Sequence, residues 1–149
     1  FMSGKGTEVG TSISDLKGIF DLLDEDIKEK VFVCLDTCHM NDAGIDISKF
    51  DEFLDVFDKS IGINKIKCIH VNDSMNPIGS HKDRHANLGY GTIGFDNLIN
   101  VIYNQRLDNI PKILETPWIN RNEKDAYAPY KYEIEMIKDK KFNDYINSK

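Results

Sequence analysis

Six histidine, aspartate and glutamate residues of this sequence lie in short polar segments where they could together bind zinc or a similar divalent ion. Asp36 and His39 are three residues apart, and Asp83 and His85 flank Arg84. Imidazole nitrogens and carboxylate oxygens are common zinc ligands, and a carboxylate can bridge two ions. Because the set exceeds what one tetrahedral ion needs, the sequence predicts a cluster of metal ions. The candidate ligands are Asp36, His39, His70, Asp83, His85 and Glu115.

Several neighbouring residues have competing interpretations. A single aspartate or histidine at the end of a strand is more often a cap or a hydrogen-bonded group than a metal ligand. Cys34 and Cys38 are either thiolate ligands or buried structural thiols, and their spacing, which fits no standard zinc motif, favours the second. Gly89 and Gly91 predict either a phosphate-cradling loop or a tight turn before a helix. Asp73 is expected to hold a metal ligand in place.

The elements that must position these residues alternate between helix and strand. Apolar residues at helical spacing predict helices at 12–23, 48–57, 95–103 and from Pro129 onward. A short, continuously apolar run predicts a buried strand at 31–35, and further strands are predicted at 66–71 and 111–115, with a polar loop at 72–94. Strands separated by helices imply right-handed parallel crossovers. The candidate ligands then follow the carboxyl ends of the strands, where active sites of parallel α/β proteins form.

The predicted fold class is α/β, with about three parallel strands and their helices. Three strands cannot close a barrel, so the chain is either a small open sheet or part of a larger barrel. The alternation of side chains places Cys34 on the same face as Asp36, and Cys68 on the same face as His70. A layer of small or apolar side chains is therefore expected beneath the ligands, as a packed barrel interior requires.

The composition limits the class of protein. A length of 149 residues and a hydrophobic content of 40% fit one globular domain, and the absence of a long apolar run predicts no membrane span. Three cysteines without a C-x-x-C pair indicate reduced thiols and a cytoplasmic location. The net charge of −6 argues against a simple nucleic-acid-binding module. It does not exclude an enzyme whose site holds several divalent cations.

These segments together resemble the C-terminal half of endonuclease IV, the zinc-dependent apurinic/apyrimidinic endonuclease of DNA base excision repair. The resemblance implies a (β/α)8 TIM barrel that holds three zinc ions. It also implies hydrolysis of the phosphodiester bond 5′ to an abasic site in double-stranded DNA, and trimming of blocked 3′ ends. The matching segments occur in family order: Gly4-Lys5-Gly6-Thr7-Glu8-Val9-Gly10, Cys34-Leu35-Asp36-Thr37-Cys38-His39, His70-Val71-Asn72-Asp73-Ser74, Asp83-Arg84-His85 with Leu88-Gly89 and Gly91, and Leu114-Glu115-Thr116-Pro117.

The same resemblance implies a role for each candidate ligand. One complete zinc site is implied for His39, Asp83 and His85. A second, partial site is implied for Asp36, His70 and Glu115. Glu115 would also help to hold the attacking hydroxide, which makes it the candidate catalytic residue, and Arg84 would contact a phosphate of the substrate.

The sequence also departs from the family pattern. In the family, a glutamate that bridges two zinc ions comes just before the position of Phe1, and two further histidines lie upstream. Residues 1–149 are therefore expected to be the C-terminal half of the barrel, with the N-terminal half absent. The isolated chain is expected to be inactive or nearly so, and to pair with another copy or with a complementing N-terminal half. Tyr90 stands where the family pattern has a charged residue.

Two other functions fit part of the pattern. A sugar-phosphate isomerase or epimerase of the same barrel superfamily would use one metal ion, held by Asp36, His70 and Glu115. That interpretation leaves His39, Asp83 and His85 without a function. The second alternative is a non-catalytic fragment that binds only metal or a partner protein.

Overall fold

Helices and parallel strands alternate along the chain in the computed structural model, which describes residues 1–148. The strands are β1 (Val33–Asp36), β2 (Ile66–His70), β3 (Asp73–Ser74), β4 (His85–Ala86) and β5 (Lys112–Ile113). The α-helices are α1 (Ile13–Asp21), α2 (Glu25–Lys28), α3 (Thr37–Ala43), α4 (Phe50–Ser60), α5 (Phe95–Ile102) and α6 (Tyr130–Asp139). Over this described range, no helix is long and apolar enough to cross a membrane.

The main sheet is parallel, with the strand order β1-β2-β5. In its register Asp36 pairs with His70, and His70 pairs with Ile113. The chain passes from β1 to β2 through α4, and from β2 to β5 through α5. The carboxyl ends of all three strands therefore lie side by side, as the sequence predicts. A second, antiparallel pair of short strands, β3 and β4, lies within the predicted polar loop.

The hydrophobic core packs the helices against this sheet. Leu35 and Ile69 are fully buried in the two longer strands. Helix α4 buries a phenylalanine-rich face that includes Phe57, and α5 buries Leu98. Apolar residues spaced three and four apart form such a face on a helix. The strand ends that carry the candidate ligands are thus fixed to a packed core.

In the segments around the parallel sheet, the structure differs from the sequence prediction at β1, α3 and β5. Strand β1 begins at Val33 rather than at residue 31, because Phe32 is 47% exposed and pairs with no neighbouring strand. Helix α3 follows Asp36 directly and was not predicted. Its first residues, Thr37 and Cys38, have low helix propensity, which hides the helix from a periodicity argument. Strand β5 contains two residues rather than five.

Candidate metal centre

The predicted ligands converge at the carboxyl edge of the parallel sheet. They form two groups, and within each group one donor atom per residue lies within 4.8 Å of the others. β1 and β2 end in Asp36 and His70, α3 carries His39, and β4 begins with His85. The two groups are His39 with Asp83 and His85, and Asp36 with His70 and Glu115.

The first group is built around the Asp83 carboxylate. Its Oδ1 lies 3.0 Å from Nε2 of His39 and 3.3 Å from Nε2 of His85. The two imidazole rings have centroids 5.7 Å apart. This arrangement places two ring nitrogens and one carboxylate oxygen around a common point.

The remaining ring nitrogens of these histidines contact backbone carbonyl groups. Nδ1 of His39 lies 2.9 Å from the carbonyl oxygen of Phe1, and Nδ1 of His85 lies 3.1 Å from that of Glu115. A carbonyl oxygen only accepts hydrogen bonds, so each Nδ1 carries the proton. In the neutral ring each Nε2 then has a free lone pair, which can bind a metal ion, and this atom faces Asp83. Metal-binding histidines are commonly oriented by this kind of contact.

The environment of His85 Nε2 tests whether the residues suit a metal ion. This atom is buried and has no hydrogen-bond partner among residues 1–148. Although Asp83 Oδ1 is only 3.3 Å away, an unprotonated nitrogen and a carboxylate oxygen are both acceptors. Two acceptors at this distance repel each other unless a cation lies between them. The donor set therefore fits a divalent ion.

The second group is joined to the first by Asp36, which is 2% exposed. Asp36 Oδ2 lies 3.7 Å from Nε2 of His39, 3.7 Å from Nε2 of His85 and 3.8 Å from Nδ1 of His70. His70 Nδ1 also lies 2.9 Å from Oε2 of Glu115. One buried carboxylate thus faces three imidazoles from both groups.

Asn72 positions this second group and was not identified as a functional residue from the sequence. Its Nδ2 donates to Oδ2 of Asp36 at 3.1 Å, and its Oδ1 accepts from the backbone N–H of Glu115 at 3.0 Å. The side chain is completely buried. The sequence signal that could have identified Asn72 is its position two residues after His70, in a polar segment at the end of a strand.

The loop that carries Asp83 is held by helix α3. Asp83 has a left-handed backbone with φ of 63°, which is unfavourable for a residue other than glycine. Its N–H donates to Oδ2 of Asp42 at 2.8 Å, and the same carboxylate accepts from Oγ of Ser74 at 2.7 Å. Asp42 is completely buried. It anchors the strained loop to the helix that presents His39.

The glycine-rich loop does not have the phosphate-binding geometry that one interpretation predicted. The backbone N–H groups of Gly89, Gly91 and Ile93 all donate to the carboxylate of Asp73 at 2.9–3.1 Å. Asp73 therefore occupies the position that a bound anion would take, and the tight-turn alternative is correct. The expectation that Asp73 holds a metal ligand is wrong, because its carboxylate is engaged by these amides and by that of Ser74.

Burial shifts the pKa values of Cys34 in β1 and Cys38 in α3 upward, toward the protonated thiol. Burial raises the pKa of Cys38 to about 12, and Cys38 is completely buried beside Asp36 and His85. Burial, reinforced by the neighbouring Cys68 thiol, raises the pKa of Cys34 to about 11. Cys38 thus agrees with the buried structural thiol predicted from the sequence, whereas Cys34 is only half-buried.

Exposed cationic and aromatic groups lie near the ligands. Arg84 is exposed between Asp83 and His85 in the chain. An open cavity of about 520 Å³ lies next to His85 and Glu115, and the exposed side chains of Trp118 and Arg121 also line it. The edge that carries the candidate ligands is therefore open to a large molecule on this side.

Similarity to known proteins identifies the family. Residues 1–140 match the family described as xylose isomerase-like TIM barrel, and the chain belongs to that family. A protein of Ureaplasma parvum named "Probable endonuclease 4" is 56% identical over 98% of this chain and 48% of its own length. A protein of the same name from Enterococcus faecalis is 50% identical over 95% of this chain and 48% of its own length.

The structural similarity leads to the same proteins. Endonuclease IV from Thermus thermophilus matches with a TM-score of 0.74 and 30% identity, over 93% of this chain and 46% of that chain. These similarities confirm the resemblance to endonuclease IV and the TIM-barrel fold class that the sequence predicts. The chain spans about half the length of the curated relatives it matches.

Proposed function

We propose that this chain forms part of the active site of a zinc-dependent endonuclease that cleaves DNA 5′ to abasic sites. Its relatives carry the name endonuclease 4, and a solved relative is an endonuclease IV. Residues 1–149 are proposed to form the C-terminal half of the complete barrel. A complementing N-terminal half, or a second copy of the chain, would supply the remaining ligands and barrel strands.

The observation that carries this proposal is the position of the Asp36 carboxylate. It lies within 3.8 Å of ring nitrogens of His39, His70 and His85. A single-metal enzyme has no need for a carboxylate that faces donors of two groups. Bridging carboxylates are instead typical of centres that hold several ions and act on phosphate esters.

The roles of the individual residues follow from this arrangement. Bound zinc would lower the pKa of a coordinated water and neutralise charge on the scissile phosphate. Glu115 is 46% exposed in its side chain and has one oxygen 2.9 Å from His70 Nδ1. Its carboxylate would orient the attacking water by accepting a hydrogen bond from it. The exposed guanidinium of Arg84 would donate to a phosphate oxygen of the DNA strand.

Zinc-dependent incision of a DNA duplex with one abasic site tests this function. The isolated chain is expected to cut the duplex little or not at all. A chimaera in which this chain replaces the matching segment of the Ureaplasma parvum relative is expected to cut 5′ to the lesion. Asp36→Asn in the chimaera should reduce the rate by more than about 100-fold, because it removes a shared ligand. Asp26→Asn, at an exposed position on α2, should leave it unchanged.

A folded, zinc-loaded chimaera without incision would contradict the proposed function. Strong incision by the isolated chain would contradict the need for a complementing half.

The number of zinc ions bound per chain distinguishes the alternative functions. A sugar-phosphate isomerase would hold one ion that His85→Ala does not remove. The proposed cluster holds more than one ion, and His85→Ala removes one of them. A metal-binding fragment without catalytic function would bind zinc and leave the chimaera inactive.

A further inference from the structure

Two cysteines lie side by side in the parallel sheet, directly below the candidate zinc ligands. Cys34 of β1 and Cys68 of β2 are register partners, and Asp36 and His70 are the partners two residues closer to the carboxyl edge. Residues two apart on a strand point to the same face. Both thiols therefore lie on the face that carries Asp36 and His70. Both are reduced and only half-buried.

The donor atoms of Cys34, Cys68 and His70 form a compact group. The two Sγ atoms and a ring nitrogen of His70 lie within 4.8 Å of one another. Thiolates hold zinc at about 2.3 Å and imidazole nitrogens hold it at about 2.0 Å. Donors around one such ion are separated by at most about 4.6 Å. Small side-chain rotations are therefore enough to place all three around a single ion.

We propose that Cys34, Cys68 and His70 form a binding site for a soft, thiophilic metal ion such as Cd²⁺ or Cu⁺, and that this site shares His70 with the adjoining centre. Thiolate ligands select soft ions, whereas the adjoining centre is rich in carboxylate oxygens that favour harder ions. On binding, the two S–H bonds break and two S–metal bonds form. Two protons leave to solvent, and the oxidation state of the metal does not change.

This site has a consequence for the adjoining centre, and that consequence rests on the proposed function. His70 Nδ1 also lies 2.9 Å from Glu115 and 3.8 Å from Asp36. When the His70 imidazole binds a soft ion between the two cysteines, it no longer binds the zinc ion proposed at Asp36 and Glu115. A soft metal ion therefore displaces zinc from the second group while His39, Asp83 and His85 keep theirs.

Titration of the chain with Cd²⁺ tests the thiol site. Ultraviolet sulfur-to-cadmium charge-transfer absorption is expected to grow until one ion is bound per chain. Cys34→Ser and Cys68→Ser should each abolish most of this absorption. Cys38→Ser is the matched control and should retain it, because Cys38 belongs to a different donor group. Absorption that survives in both Cys34→Ser and Cys68→Ser would overturn the site.

A measurement on the unsubstituted chain removes any dependence on the folding of the variants. One equivalent of Cd²⁺ should protect Cys34 and Cys68 from alkylation by iodoacetamide, as mapped by mass spectrometry of peptides. Unchanged alkylation of both cysteines would also overturn the site.

The competition for His70 is tested separately. The zinc content of the zinc-loaded chain is measured before and after addition of one equivalent of Cd²⁺. Loss of zinc supports the competition for His70, whereas unchanged zinc overturns the competition and leaves the thiol site standing.

Discussion

Asn72 connects three strand ends through one buried side chain and its backbone. Its amide contacts Asp36 on one side and the backbone of Glu115 on the other. Its backbone N–H donates to Oγ1 of Thr37, whose hydroxyl donates to the Asn72 carbonyl oxygen. No other residue type of this size offers a donor and an acceptor at the two ends of one planar group. Asn72 thus fixes the relative positions of candidate ligands from β1 and from the segment after β5.

Replacing Asn72 should weaken zinc binding without removing a ligand. Asn72→Ala is expected to lower the zinc affinity of the group at Asp36, His70 and Glu115 by about 10- to 100-fold, the usual effect of losing a partner of a ligand. Competition with a chromophoric chelator measures the affinity. Asn64→Ala, at an exposed position before β2, is the control. Equal affinities in Asn72→Ala and the parent chain would contradict this role.

Gly91 illustrates a steric requirement rather than a need for unusual dihedral angles. A Cβ at this position would overlap the carboxylate of Asp73 and the carbonyl oxygen of Ser74. Gly91→Ala is therefore expected to lower the free energy of unfolding by about 1–3 kcal/mol, the typical cost of overpacking. Gly18→Ala is the matched control, because Gly18 lies in α1 with open space around its Cα.

Urea denaturation compares these two glycine variants. Gly18→Ala should stabilise the chain by about 0.5–1 kcal/mol, because alanine restricts the unfolded backbone and favours the helix. A Gly91→Ala variant as stable as the parent would show that the loop shifts freely around Asp73. Such a result would contradict the close packing between this loop and the buried carboxylate.

At the scale of elements, α6 is tied to the loops that follow β4 and β5. The fully buried Glu133 of α6 accepts hydrogen bonds from the backbone N–H of Leu88 at 3.1 Å, from Nδ2 of Asn87 at 3.2 Å and from Oγ1 of Thr116 at 2.6 Å. Asn87 is two residues after His85, and Thr116 follows Glu115. The helix therefore helps to set the position of both ligand-bearing segments.

The titration of Glu133 should appear in the pH dependence of stability. Burial raises the pKa of Glu133 above its ordinary value of 4.5, so the folded chain binds the proton more tightly than the unfolded chain. The resulting stabilisation is complete below pH 4.5 and is lost as the pH rises through the folded-state pKa. In Glu133→Gln this dependence is absent. As the pH rises from 4.5 through the folded-state pKa, the free energy of unfolding of the parent should therefore fall relative to that of Glu133→Gln. The total fall is about 1.4 kcal/mol for each tenfold difference in proton affinity between the folded and the unfolded chain.

Urea denaturation at a series of pH values measures the effect of Glu133→Gln. Glu135→Gln, at an exposed position on the same helix, is the control and should show no such pH-dependent difference from the parent. A constant difference between the parent and Glu133→Gln from about pH 4 to 8 would contradict a perturbed carboxyl group.

The elements with a regular apolar pattern were predictable, and the short polar ones were not. Helices α4 and α5 bury periodic apolar faces, and β1 and β2 bury β-branched or other apolar residues such as Leu35 and Ile69, so local sequence defines them. The N-cap at Asp36 and the left-handed C-cap at Gly44 were the only local signals for α3. The β3–β4 pair depends on contacts between residues distant in sequence, which periodicity does not describe.

The same distinction applies to the candidate site. The ligand types and their positions at strand ends were predictable, because they follow from chemistry and sheet topology. The roles of Asp42, Asn72 and Asp73 were not, because each depends on which backbone N–H groups or side chains the folded loops bring to it. A buried carboxylate that binds loop amides has the same sequence signature as one that binds metal.

At the scale of the whole molecule, the six candidate ligands come from distant parts of the chain and meet only when it is folded. Zinc should therefore bind the folded state preferentially and raise the melting temperature. Free zinc at about 100 times its dissociation constant stabilises by about 2.7 kcal/mol. Calorimetry with zinc and with EDTA measures the difference. His85→Ala should show a smaller increase, and a melting temperature independent of zinc would contradict a preformed centre.

The parallel order β1-β2-β5 also has a consequence for the rate of folding. Each neighbouring pair of strands is joined by a long crossover through a helix, so most strand contacts have high sequence separation. Such topologies fold slowly, because chain entropy is lost before the contacts form. Strand β5 contributes only two paired residues, yet Glu115 lies just beyond it. If the proposed zinc ion binds at Asp36, His70 and Glu115, its capture is expected to coincide with the docking of β5, so that zinc uptake during refolding would report the completion of the sheet.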